Sequence, residues 1–150
     1  MSRKVQVIGV GMIKFTKPGQ SDEYDVMGAS AAQAALADAG IPYASIERAY
    51  VGYVYGDSTC GQAAVYKVGL TGIPVFNVNN NCSTGSSALM LAVDAVRGGL
   101  VECALALGFE KMEKGALASK FDDRKTPLQD FVGVMNEVQG FTSAPAAAQM

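Results

Sequence analysis

One stretch constrains this 150-residue chain more than any other: Asn79-Asn80-Asn81-Cys82-Ser83-Thr84-Gly85-Ser86-Ser87-Ala88. The run before it, Ile73-Pro74-Val75-Phe76-Asn77-Val78, is short, apolar and β-prone. After it, Ala88, Leu89, Leu91, Ala92, Val93, Ala95 and Val96 recur at spacings that suit a buried helix. Cys82 therefore falls where a strand gives way to a helix. Ser83 and Thr84 are residue types that cap a new helix by accepting its free backbone N–H groups. A helix start carries partial positive charge, which favours a thiolate over a thiol. Gly85, Ser86 and Ala88 are small enough to admit a ligand or a neighbouring backbone. Two readings follow from the residues alone. Cys82 is a nucleophile on a strand-to-helix turn, or a small apolar residue packed in a core.

The rest of the chain has a similar rhythm. Val5-Gln6-Val7-Ile8-Gly9-Val10 reads as a first strand, mostly apolar. Gly9-Val10-Gly11 invites a dinucleotide-binding reading, but the third glycine is missing and Phe15, Lys17 and Pro18 stand where a helix should begin. Residues 25–39 predict a helix with Val26, Ala29, Ala32, Ala35, Leu36 and Ala39 on its apolar face, ended by Gly40. Residues 49–55 predict a second strand, with Val51, Tyr53 and Tyr55 on one face. Asp57-Ser58-Thr59 can cap a short helix over 62–69, and residues 102–107 predict a fourth strand. This alternation predicts an α/β fold on a mainly parallel sheet. Polar, turn-rich residues begin near Gly115, so the expected division is 1–115 and 116–150, with a weakly helical run at Phe131-Val132-Gly133-Val134-Met135.

Composition removes several functional classes. At 49% hydrophobic and 17% charged residues the chain is globular in type. A formal net charge of -2 with no long basic run argues against nucleic-acid binding. No apolar stretch has the length of a membrane span, and the N-terminus has no signal-peptide pattern. The three cysteines have no metal-site spacing, which excludes a cysteine-based metal site and favours a reducing, intracellular setting. There is no histidine, and that absence limits the chemistry most.

The segment around Cys82 resembles the nucleophile motif of the thiolases, and more narrowly that of the thiolase domain of sterol carrier protein x and its bacterial lipid-transfer relatives. Three further segments share the resemblance: Gly9-Val10-Gly11-Met12-Ile13-Lys14-Phe15; Val51 to Gln62 through Tyr53-Val54-Tyr55-Gly56-Asp57-Ser58-Thr59-Cys60; and Ala104-Leu105-Ala106-Leu107-Gly108-Phe109-Glu110-Lys111-Met112. It runs from about residue 3 to about residue 127. It implies the N-terminal half of a thiolase-like α/β/α fold with a mixed, mainly parallel sheet, with residues 116–150 opening an inserted loop region. The last strand and helix of such a half follow that region, so residues 1–150 alone are expected to expose apolar surface.

By the same resemblance, Cys82 is the acyl-accepting nucleophile of a 3-ketoacyl-CoA thiolase of lipid or sterol side-chain metabolism. Coenzyme A is a substrate, and no permanently bound cofactor and no metal are implied. Residues that bind coenzyme A are not assigned. The family's catalytic histidine and second cysteine belong to its C-terminal half, and neither Cys60 nor Cys103 matches that cysteine's motif. Residues 1–150 alone are thus expected to be inactive. Cys60 is read as a small packing residue and Cys103 as core. Asn79, Asn80 and Asn81 are expected to hold the nucleophile turn, partly through unusual dihedrals. Glu110 is expected to hydrogen-bond the nucleophile loop, and Lys111, Lys114, Lys120, Arg124 and Lys125 to form a solvated mixed-charge face. Relatives form homodimers through the strand before the nucleophile, here residues 76–80. A bacterial protein of this kind is cytoplasmic and a eukaryotic one peroxisomal. Two other readings stay open: a non-catalytic lipid-transfer or scaffold subunit, and another thiolase-fold condensing enzyme or aldolase.

Overall fold

The computed structural model describes residues 3–115, 121, 123–126 and 129–140. It divides into two units, Met1–Glu113 and Lys114–Met150.

The first unit is built on three parallel strands, β1 (Arg48–Gly52), β2 (Val75–Val78) and β3 (Ala104–Gly108), in the order β2-β1-β3. Ala49 pairs with Val75 on one side and Leu105 on the other, and Gly52 with Val78 and Gly108. The central strand β1 is covered on both faces, as parallel strands require. One face carries Ala49, Val51, Tyr53, Leu105 and Leu107, packed under helices α1 (Tyr24–Ala39) and α2 (Cys60–Tyr66). The other carries Tyr50, with Ala104 and Ala106 beside it, under α3 (Thr84–Arg97). The first unit is thus an α/β/α layering on a parallel sheet.

Small residues set the spacing of these layers. Helix α1 buries Met27, Gly28, Ala29 and Ala32, so it approaches α2 and the sheet closely. A β-carbon on Gly28 would lie 2.8 Å from the Phe109 ring and 2.9 Å from Ala64 Cβ. The helix ends where its sequence predicts: Gly40 takes φ 65°, and the Gly40 and Ile41 amides close back onto the Ala37 and Leu36 carbonyls.

Residues 5–10 depart from expectation, because they form no strand. The segment lies extended along α1, with Val7, Ile8 and Val10 exposed. The Val10 amide donates to the Asp38 carboxylate at 2.9 Å instead of to a neighbouring strand. Added β-carbons at Gly9 and Gly11 would meet the Ala35 and Ala31 carbonyl oxygens at 2.4 and 2.3 Å, so the glycines seat the segment directly on the helix backbone. β-Propensity needs a ladder partner to act on, and among the described residues this segment has none. Strand β1 also ends earlier than expected, at Gly52. Tyr53 still joins the core face, while Tyr55 lies outside the strand and is exposed. Helix α3 buries only Thr84, Ala88, Ala92 and Ala95 and leaves Leu89, Met90 and Leu91 exposed, so the expected apolar surface is present.

In the second unit, α4 (Gln129–Gln139) extends the helical run anticipated around Phe131. Asp130 in its first turn pairs with Lys125 at 3.1 Å.

Candidate active site

Strand β2 delivers the chain at its C-terminal end into the turn that carries Cys82. From β1 the chain passes to α2 on one face of the sheet, and from β2 it passes to α3 on the other. Helices that leave adjacent parallel strands on opposite faces open a crevice at the strand ends, where α/β proteins gather ligands. A cavity of about 210 Å³ lies there, lined by Tyr53, Asp57, Ser58, Asn77 and Asn79. Cys82 follows within a short 3₁₀ turn, Asn81–Ser83, that runs directly into α3, and its side chain is exposed.

The asparagine run performs the part its residue type suggests. Asn81 adopts φ 48°, a left-handed conformation that asparagine tolerates better than most residues. The Asn80 amide group donates to Ser87 Oγ at 2.9 Å, and Asn79 Oδ1 accepts the Asn81 N–H at 3.4 Å. The expected capping works differently. Ser83 makes no side-chain cap to the helix, and its hydroxyl donates back to the Asn80 carbonyl at 2.8 Å. Thr84 also turns backward: its Oγ1 accepts the Asn80 N–H at 2.7 Å and donates to the Asn81 carbonyl at 2.6 Å. The hydroxyls therefore brace the turn that holds Cys82 rather than the helix that follows.

Glu110 also binds elsewhere than expected. Its carboxylate accepts from the Val54 and Tyr55 amides at 2.8 and 3.1 Å, which fixes the loop after β1 rather than the turn that carries Cys82. Phe109, its neighbour, lies in an aromatic stack with Tyr53 and Tyr24, at centroid separations of 5.4 and 5.5 Å. Beneath that loop Cys60 is 2% exposed, the packing role read for it. The Cys60 thiol beside the Tyr24 phenol, with burial, pushes that phenol up to about 12. Cys103 is only half-buried, so it is less of a core residue than its sequence suggests. Burial, and then the Glu47 carboxylate, push its thiol up.

Three of the five basic residues are tied to carboxylates, Lys111 to Glu23, Arg124 to Asp123 and Lys125 to Asp130, and Lys114 is exposed. Lys120 lies outside the described residues. A larger cavity of about 470 Å³, whose lining does not include Cys82, lies between the Gly11-to-Thr16 segment, the start of α1 and the chain after β3. Its lining includes Lys14, Phe15, Met27, Phe109 and Glu110.

Two features of the site were not read from the sequence. Asn77 on β2 accepts the Gly61 amide at 2.8 Å and donates to Gln62 at 2.7 Å, tying α2 to the edge strand. Thr84 meets Gly52 across the layers, where an added β-carbon on the glycine would be 2.7 Å from the threonine methyl. Both depend on residues distant in the chain, and their residue types alone carry no signal for the pairing.

Comparison with known proteins agrees with this geometry. Residues 5–145 match the model of the thiolase N-terminal domain. Sterol carrier protein 2 of Gallus gallus is 56% identical over 152 residues, covering 100% of this chain and 28% of that protein. The benzoylsuccinyl-CoA thiolase subunit BbsB of Thauera aromatica is 35% identical over 133 residues, covering 84% of this chain and 34% of that subunit. Among solved structures, 3-oxoacyl-[acyl-carrier-protein] synthase III from Aquifex aeolicus superposes with a TM-score of 0.59 at 19% identity, covering 68% of this chain and 34% of that one. The chain thus spans little more than a quarter of the sterol carrier protein's length.

Proposed function

Because the chain belongs to the thiolase family through its N-terminal domain, we propose that the whole protein is a 3-ketoacyl-CoA thiolase acting in lipid or sterol side-chain metabolism, with Cys82 as its nucleophile. The observation that carries this reading is the placement of Cys82: an exposed thiol on a braced turn at the start of α3, beyond the C-terminal end of a parallel strand. In the proposed reaction the Cys82 thiolate adds to the keto carbon, and negative charge gathers on its oxygen. Backbone amides at the helix start supply part of the stabilisation that charge needs. The bond between the keto carbon and the α-carbon then breaks. The shortened acyl group remains as a thioester on Cys82, and the departing enolate, which keeps the α-carbon and the original coenzyme A thioester, takes a proton. A coenzyme A thiolate attacks the thioester, releases a new acyl-CoA and restores the cysteine. The proton donor is not a histidine of this chain, which has none.

Several features belong to the same proposal. β2 is an edge strand, with Phe76 exposed and stacked on Tyr50 at 5.2 Å. It is suited to pair with its own copy across a two-fold axis in a homodimer. A full-length structure that buries this edge inside one protomer refutes that part. Cys60, Cys82 and Cys103 are all free thiols, which supports a reducing compartment, cytoplasmic in a bacterium and peroxisomal in a eukaryote. Among the described residues no helix is long and apolar enough to cross a membrane. A second reading, lipid transfer without catalysis, draws on the relative named "Non-specific lipid-transfer protein-like 2" from Caenorhabditis elegans, 45% identical.

One experiment separates the two. The full-length protein and its Cys82→Ala variant are incubated with acetoacetyl-CoA and coenzyme A. Loss of the ketoacyl thioester is followed alongside intact-mass analysis. Turnover and acylation that depend on Cys82 support the thiolase. Neither event, with retained binding of acyl-CoA or lipid, supports transfer.

A further inference from the structure

The hydroxyl of Thr84 occupies a position that the thiolase reading does not yet use. Thr84 is the first residue of α3 and is buried, 5% exposed, on the helix face turned toward β1. Its Oγ1 accepts the Asn80 N–H and donates to the Asn81 carbonyl, at 2.7 and 2.6 Å. Its own amide reaches the same Asn81 carbonyl, so that oxygen is held from two directions by one residue. The methyl group sits where Gly52 lacks a side chain. Thr84 therefore grips the Asn79–Asn80 and Asn81–Cys82 peptide groups and is itself wedged against the central strand.

The grip has a geometric consequence for the cysteine. No peptide bond among the described residues is cis. In a planar trans peptide the C=O and the following N–H point opposite ways. Holding the Asn81 carbonyl toward Thr84 therefore turns the Cys82 amide away from it. Asn81 is also in its left-handed conformation here, a state that needs its surroundings to hold it.

We propose that Thr84 is a positioning residue for Cys82: its hydroxyl, bonded to the Asn80 amide and the Asn81 carbonyl, locks the turn that aims the Cys82 thiol and amide. This rests on the reading of Cys82 as nucleophile. Thr84→Val keeps the shape of the side chain and removes both hydroxyl bonds. Thr84→Ser keeps the bonds and removes the methyl. Cys82 is already exposed, so a looser turn adds little access, and its reactivity then depends on alignment with the helix start.

The test labels the folded full-length protein with iodoacetamide at neutral pH and quantifies Cys82 and Cys103 separately by mass spectrometry. Hydrogen exchange at the Asn80 amide is measured in parallel. The expected result for Thr84→Val is labelling of Cys82 slowed severalfold, with Cys103 unchanged and the Asn80 amide deprotected. Thr84→Ser should stay near wild type on both readouts. Unchanged labelling and exchange in Thr84→Val overturn the proposal. So does a Thr84→Ser variant that behaves like Thr84→Val, since packing of the methyl would then be the cause. Failure of the underlying reading looks different. In that case wild-type Cys82 labels no faster than the same residue in urea, while the Asn80 exchange still reports whether the lock exists.

Discussion

Gly52 and Thr84 meet so closely that a β-carbon on the glycine would lie 2.7 Å from the threonine methyl and 3.0 Å from its carbonyl oxygen. The pair joins the end of the central strand to the first residue of the helix that follows Cys82. Gly52→Ala should therefore push α3 away from the sheet. Overpacking of this kind costs about 1–3 kcal/mol, read as a lower midpoint in urea unfolding. Labelling of Cys82 should slow as well. Adding Thr84→Ser to Gly52→Ala should recover part of the stability, because the nearest of the crowded atoms is gone. Full stability in Gly52→Ala alone would mean that the layers part without cost.

The three thiols should separate in reactivity. Cys82 is exposed, Cys60 is 2% exposed, and the half-buried Cys103 has its thiol pushed up from 9.0 by burial and by Glu47. Site-resolved alkylation of the folded protein should therefore rank Cys82 first. A raised thiol holds its proton more tightly when folded. The stability linked to Cys103 is thus fully present below its ordinary value and is lost as pH rises through the raised one. Equal alkylation rates, or Cys60 leading, would count against a nucleophilic Cys82.

Tyr24 should ionise late. The Cys60 thiol is the largest cause of a phenol raised from 10.0 to about 12, followed by burial. Cys60→Ala should bring the phenol down toward its ordinary value, seen as phenolate absorbance appearing at lower pH. With the group raised, its contribution to stability is complete below pH 10.0 and disappears toward 12. A phenolate transition in Cys60→Ala identical to that of the wild type would remove the thiol as its cause.

Residues 1–150 alone should not turn over acetoacetyl-CoA at any pH between about 6 and 9, where a cysteine at a helix start can be thiolate. Cleaving a carbon–carbon bond needs a proton donor for the departing enolate. The chain has no histidine, Glu110 is committed to the Val54 and Tyr55 amides, and Cys60 is buried. Slow single acylation of Cys82, detected by intact mass, is the most that should occur. Sustained turnover above a Cys82→Ala control would reveal an acid within these residues.

The Cys82 turn was legible because its signals are local. A β-prone run, three asparagines and a small-residue helix start lie within sixteen positions, 73–88, and the left-handed Asn81 follows from its residue type. Helix α1 and its Gly40 cap were legible for the same reason. Glu110 was not. Its partners lie 56 and 55 positions away, and nothing near Glu110 in the sequence names them.

Residue order alone determined the alternation of strands and helices, the α/β class and the position of Cys82 at a strand-to-helix junction. Periodicity, capping types and turn residues act over a few positions and need no distant partner. Tertiary structure decided that residues 5–10 lie on α1 instead of joining the sheet, because a β-prone segment becomes a strand only where an edge meets it. It also turned the Thr84 hydroxyl back onto the turn before Cys82, with its methyl against Gly52, instead of forward onto the helix. That choice depends on how closely α3 packs on β1, a distance set by Gly52 and Thr84, 32 positions apart, that no local pattern encodes.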